Sequence, residues 1–182
     1  KIDSELAEEL CEEFDFKVES ARYYEPDNTI EVQLPFIKYH FPDAEILPLG
    51  IVRPEVKSLE IGVKVVKIAQ ELGRKIKIIG TTDMTHYGPN YGFTPKGIGE
   101  EALKWVTEVN DKKMIDLFLS MMPEKILEEA SRNGNCCCPA AAATAITALR
   151  TAGTKKGYLV DYYTSYEINP DYNFVGYAGV IY

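Results

Sequence analysis

Apolar positions along the chain alternate between two rhythms. From Ser4 to Phe14, Leu6, Leu10 and Phe14 recur on one face among acidic residues, which predicts an amphipathic helix. Lys17 to Tyr24 suits a strand. Asn28 to Phe41 returns to helical spacing through Ile30, Leu34, Ile37 and Phe41. Pro35 near its middle lacks a backbone donor, so the helix either begins just before Pro35 or kinks there. Ala44 to Val52 has the pattern of a short buried strand. Pro54 then opens a long helix with Val56, Leu59, Val63 and Val66 on its stripe and Gly73 after its last turn.

Lys75 to Gly80 (KIKIIG) is β-branched and apolar, the signature of a parallel strand buried on both faces. A Gly/Pro/Tyr-rich loop spans Tyr87 to Gly99. Helices are expected over Glu100 to Phe118, Pro123 to Ser131 and the alanine-rich Pro139 to Ala152, and strands over Gly157 to Tyr166 and Phe174 to Tyr182. Strand, helix, strand in succession implies right-handed parallel crossovers. The expected architecture is therefore α/β: one domain over 1–182, a layered and mostly parallel sheet flanked by helices.

Composition adds exclusions. With 182 residues, 46% hydrophobic and 26% charged, the chain is an ordinary globular one, neither disordered nor collagen-like. A formal net charge of −8 argues against nucleic acid or an anionic membrane as partner. No apolar run is long enough to cross a bilayer, and no secretory signal is visible. Lys1 in place of Met predicts a processed chain or a piece of a longer one. Of four cysteines, Cys136, Cys137 and Cys138 are consecutive, which offers neither a disulfide framework nor zinc knuckles. A reducing, cytoplasmic setting is expected.

Candidate chemistry gathers where KIKII stops and Thr81-Thr82-Asp83-Met84-Thr85-His86-Tyr87-Gly88 begins, because α/β sheets bind ligands beyond strand carboxyl ends. Asp83 and His86, three residues apart, can face one pocket as a base with its orienting carboxylate or as metal ligands. Equally, Asp83 could cap a turn and His86 pack against Tyr87. Cys136 to Cys138 precede Pro139 at a helix N-terminus, which favours a thiolate for a soft metal or an electrophile; simple packing is the alternative. In Asp27-Asn28-Thr29-Ile30-Glu31-Val32-Gln33-Leu34-Pro35-Phe36, Asn28 and Glu31 share a helical face, although capping by Asp27 or Asn28 with Glu31 bonding back explains much of the segment. His40 sits at a helix end, where a solvent-facing histidine is expected.

These segments together resemble the Memo family, also called AmmeMemoRadiSam system protein B. DNTIEVQLPF is similar to that family's Glu-His-Ser-Ile/Leu-Glu-x-Gln-Leu-Pro-Phe signature, and TTDMTHYG to its Ser-Ser-Asp-x-x-His-Tyr/Trp-Gly signature. The cysteines before Pro139 match its Cys-Gly-x-x-Pro region in place, and VGYAGVIY resembles its closing strand. The resemblance implies a fold like that of the class III extradiol ring-cleaving dioxygenases. It also implies iron or copper, oxidant chemistry and, in animal members, binding of phosphorylated signalling peptides. On this pattern His86 is the acid/base with Asp83 beside it. Asn28, Glu31, Gln33, Thr82 and Tyr87 line the substrate, and Cys136 is a metal ligand.

The sequence departs from the pattern in three places. The two N-terminal histidine segments of the family are absent, Asn28 stands at the signature histidine, and Asn135 lies four residues before Pro139 where the family cysteine falls. Two functions follow. One is a Memo-like redox or dioxygenase-like enzyme acting on a small molecule, its site completed by an N-terminal segment or separate chain. The other is a non-catalytic module for a small anion or phosphorylated peptide, served by the helix N-termini after Thr82 and before Pro139.

Overall fold

In the computed structural model, which describes residues 1–20, 22–24 and 27–182, the first acidic segment forms α1 (Ser4–Glu13). Asp3 caps it by accepting the Leu6 N–H at 3.2 Å. Leu6 and Leu10 pack with Ile68 and Ala69 of α3 (Leu59–Glu71), and Arg74 donates to Asp3 at 2.9 Å and to Glu5 at 2.6 Å. Between these helices, a 3₁₀ turn over Glu31–Gln33 leads into α2 (Leu34–His40). Pro35 therefore lies in the first helical turn, where its missing donor costs nothing. Among the described residues Glu31 makes no reciprocal capping bond; Asp27 caps the segment, accepting from the N–H groups of Thr29, Ile30 and Glu31. Pro54 falls just outside the next helix, which starts with a 3₁₀ turn at Val56–Ser58.

The C-terminal half carries most of the core. Glu100 to Phe118, expected as one helix, is divided among α4 (Glu100–Trp105), a five-residue π turn (Val106–Asn110) and α5 (Asp111–Leu119). After α6 (Pro123–Asn133), Gly134 closes the helix in the left-handed region at φ 58°. α7 (Pro139–Thr151) then packs against α3, with Gly62 so close to the Thr144 carbonyl that a Cβ there would overlap it. Met84, Met114, Phe118, Ile126, Ala143 and Ile146 fill the space between these helices and the sheet.

The fold is mixed α/β, and its sheet is where expectation and structure differ in detail. β1 (His86–Tyr87), β2 (Tyr158–Thr164) and β3 (Phe174–Ile181) form an antiparallel sheet in the order β1-β3-β2. β2 stops at Thr164 because a capping box with Glu167 opens the short α8 (Ser165–Ile168). Parallel pairing among the described residues is confined to a single bridge, Ile2 to Ile46. The expected strands at 44–52 and 75–80 carry no regular secondary structure apart from the bridge at Ile46, and from 47 to 52 and from 75 to 80 no backbone group bonds to another strand among the described residues. Leu47, Leu49 and Ile76 rest on the α1–α3 cluster, whereas Val52 is 87% and Ile79 58% exposed. KIKIIG is thus covered on one face, not two. The strand expected at Lys17 to Tyr24 is an isolated bridge between Ser20 and Tyr23, with Ala21 outside the described residues. No helix among the described residues is long and apolar enough to cross a membrane.

Candidate functional site

The site forms where the irregular segment 75–85 leads into β1. His86 pairs with Val175 and Tyr87 with Phe174, while Met84 N–H donates to the Gly176 carbonyl at 3.0 Å and Gly176 N–H to that of Thr85 at 3.1 Å. Met84, Thr85 and Tyr87 are buried, whereas Asp83 and His86 stay partly accessible. His86 Nε2 lies 3.2 Å from Asp83 Oδ2, with side-chain exposures of 33% and 47%. The pair that the spacing implied is therefore formed.

Two tyrosines that the sequence reading missed complete its walls. The Tyr91 ring stands 5.0 Å from the imidazole. Tyr177 on β3 has its phenol pushed above the ordinary value, by burial first and then by the charge of Asp83.

Thr82 and the cysteine turn lock this loop to α7. Cys137 N–H donates to the Asp83 carbonyl at 3.0 Å and Cys138 N–H to Thr82 Oγ1 at 2.9 Å. Thr82 gives its own hydroxyl proton to the Asp83 carbonyl, at 3.0 Å, so in its 3.3 Å contact with Cys136 the thiol is the donor. Burial pushes the Cys136 thiol up to about 12, ahead of any help from Thr82 or the helix start. The thiolate expected from the helix dipole is not favoured there: desolvation outweighs the dipole. Cys137 is pushed to about 11 by burial and by the neighbouring Cys138.

Beneath the pair is a buried polar network. Asp111, freed to face the sheet by the π turn, accepts the N–H (3.1 Å) and hydroxyl of Thr85 at Oδ1 and the Tyr162 hydroxyl (2.8 Å) at Oδ2. A Cβ at Gly176 would collide with Asp111 Oδ2, so glycine is required at that strand position. Asn110 donates to Thr85 Oγ1 at 3.0 Å, and Asn135 donates to the Asn110 carbonyl at 2.8 Å and to Glu129 at 3.2 Å. Asn135 is fully buried, and its Oδ1 is the one buried side-chain oxygen without a partner among the described residues. Asn135 thus serves this network, and Cys136 is the residue turned to Thr82.

Other expected site residues lie elsewhere. Tyr87 is fully buried: its hydroxyl donates to the Gly97 carbonyl (2.9 Å) and accepts the Lys96 N–H (3.0 Å), and its ring stacks on Phe174 at 5.2 Å. It holds the Tyr87–Gly99 loop to the core and leaves nothing free for a ligand. Asn28 and Glu31 are exposed and Gln33 half-buried beside α2. No hydrogen bond, ion pair or ring contact among the described residues joins them to Asp83, His86 or the cysteines. His40 is exposed at the end of α2, its ring 5.0 Å from that of Tyr39.

Iron or copper would need three donors, typically two histidines and a carboxylate. No three His, Cys, Asp or Glu side chains converge among the described residues. Asp83 and His86 supply two groups already bonded to each other, and Cys136 is a neutral buried thiol. The donors gathered here do not fit the metal.

A mixed α/β protein with a carboxylate–imidazole pair at the mouth of a strand is what fold and site define. The chain belongs to the Memo-like protein family, whose model matches residues 1–181. Over all of its length it is 30% identical to a MEMO1 family protein of Pyrococcus furiosus and 31% identical to one of Thermococcus onnurineus, covering 64% and 65% of those proteins. A MEMO1 family protein of Methanocaldococcus jannaschii is 32% identical, with 61% of its length covered. The chain thus spans a little under two thirds of the length of these relatives.

Proposed function

We propose that the Asp83–His86 pair is a proton-transfer centre. The observation that carries this reading is the 3.2 Å contact of Nε2 with Asp83 Oδ2, which leaves Nδ1 without a partner among the described residues on an imidazole one-third exposed. A carboxylate on one ring nitrogen holds the proton there, so the other nitrogen presents its lone pair. Nδ1 is then the atom that takes a proton from a bound molecule and returns it. Asp83 steadies the imidazolium that forms, and Tyr91 and Tyr177 flank the space.

The finer chemistry that family resemblance implies, iron- or copper-dependent redox or dioxygenase-like turnover, requires at least one ligand brought to His86 from beyond the residues assembled here. A segment or chain corresponding to the remaining third of the relatives' length is the natural source. Four free thiols suit a reducing, cytoplasmic setting. The anion- or phosphopeptide-binding alternative is less well supported. The N–H groups of Cys137 and Cys138 ahead of α7 are already bonded to Asp83 and Thr82, and the Asp83 carboxylate repels an anion.

Hydrolysis of p-nitrophenyl acetate by the purified chain tests the proposal. General-base assistance is worth about 10²–10⁴-fold, so His86→Ala should remove the excess rate over buffer, and Asp83→Asn most of it. Nitrogen-15 spectra of the native ring should show the proton on Nε2. An excess rate that survives His86→Ala removes the reading. A rise in melting temperature with inorganic phosphate would favour the anion-binding module instead.

A further inference from the structure

Cys137 and Cys138 are neighbours in sequence whose sulfurs stand 3.7 Å apart, with Cys137 exposed and Cys138 partly so. Their backbone is fixed on both sides. The Cys137 N–H is bonded to the Asp83 carbonyl, the Cys138 N–H to Thr82 Oγ1, and Pro139 starts α7 directly afterwards. Two thiols held this way have two obvious fates, and distances decide between them.

A disulfide is the poorer one. The peptide bonds are all trans among the described residues, and a trans peptide sets adjacent Cα atoms about 3.8 Å apart, short of the roughly 4.4 Å at which ordinary disulfides begin. Bringing the sulfurs to a bonding distance of about 2.0 Å would distort a backbone whose two amides are already engaged. Sharing one soft atom needs almost no movement. Two thiolates on a tetrahedral ion with bonds of about 2.3 Å stand about 3.8 Å apart. Trivalent arsenic, with narrower bond angles, asks for only a slight approach.

The geometry points to the Cys137–Cys138 pair as a chelating site for a single thiophilic centre of the trivalent-arsenical and soft d¹⁰ metal class, separate from Cys136 and beyond the proton-transfer reading. Cys136 takes no part: it is buried and its thiol is turned to Thr82. With an organoarsenic oxide the step is a condensation. Both S–H bonds and the As=O bond break and two As–S bonds form. The two protons leave with the oxygen as one water, and arsenic stays trivalent throughout. The captured atom would sit against the Asp83 carbonyl, at the edge of the candidate site.

Phenylarsine oxide is the probe, added to the full chain with an excess of a monothiol so that single cysteines cannot compete. Intact-mass spectrometry should show one phenylarsenic group retained and released by a small dithiol. The second thiol of a chelate is worth about 10²–10⁴-fold in apparent affinity, so Cys137→Ser and Cys138→Ser should each weaken retention by that factor. The double variant Cys11→Ser/Cys136→Ser, which keeps only the pair, should retain the probe undiminished; it also guards against loss by misfolding. Retention that survives Cys137→Ser or Cys138→Ser, or that vanishes in the double variant while its circular dichroism is native, would overturn the assignment. A cadmium(II) arm monitored by thiolate-to-metal absorbance distinguishes a site open to d¹⁰ ions from one selective for arsenic. Absorbance lost with Cys136→Ser alone would place the chelate elsewhere and count against it.

Discussion

Asp111 reaches the underside of the site because the π turn at Val106–Asn110 shifts the helix register just before it, and because Gly176 leaves the space that a side chain would fill. Its carboxyl is held above the usual carboxylate range by burial, against the pull of the bonds from Thr85 and Tyr162. A group whose native value is raised binds its proton more tightly folded than unfolded. Stability should therefore fall as pH rises from the unfolded value, 3.8, through the native one, and level off above it. Asp111→Asn should flatten that slope, and urea unfolding at stepped pH will show it. Asp111→Ala should cost about 3 kcal/mol, since it leaves the Thr85 N–H and the Tyr162 hydroxyl buried without an acceptor. A loss under about 1 kcal/mol would mean that water reaches them. None of this network was legible in the sequence: Thr85, the Asn110–Asp111 pair, Asn135 and Tyr162 come from four separate stretches of the chain, and an aspartate at a helix start is ordinarily a solvated one. Asp83 and His86 were legible because three residues is a spacing that local backbone geometry can close without help. Tyr87 was misplaced for the complementary reason: the sequence did not mark 86–87 as a strand, in which adjacent side chains take opposite faces and Tyr87 turns inward while His86 stays accessible.

Elements were predicted well wherever local rules sufficed. Helices with a proline in the first turn, α6 and α7, begin where expected, and Gly73 follows the end of α3 as expected, whereas α6 runs two residues past the expected Ser131 to Asn133 before Gly134 closes it. Strand pairing is a different problem, because KIKIIG specifies a strand without specifying its neighbour. The apolar run predicted burial on both faces. The structure gives it one half-covered face through Ile76 and Ile78, while Lys75, Lys77 and Ile79 lie open. Backbone groups without a ladder exchange freely with solvent, whereas those in the β1-β3-β2 sheet are shielded. Amides of Lys75 to Ile79 are thus expected to exchange orders of magnitude faster than those of Val175 to Gly179, as deuterium uptake resolved by mass spectrometry will show. Equal protection in the two segments would mean that 75–80 finds a ladder in solution.

On the scale of the whole molecule, two hydrophobic clusters share α3 as a neighbour: one with α1 and the irregular segments, the other with α5, α6 and α7. The site belongs to the second, tied to it by Met84, Cys136 and the network around Asp111. The open backbone at 47–52 and 75–80 belongs to the first, beside exposed Val52, Val56 and Ile79. An unpaired, partly apolar edge is a template for further strands, and chains carrying one tend to stack edge to edge unless something keeps them apart. Here that something is the net charge of −8 at pH 7. It vanishes near the isoelectric point of about 4.9, and salt screens it at any pH. Light scattering of this chain should accordingly show particles that grow with concentration, faster toward pH 4.9 and in high salt, and a size indifferent to both would mean that the edge is closed. The colloidal behaviour of the chain is thus written into the segment that leads to its site.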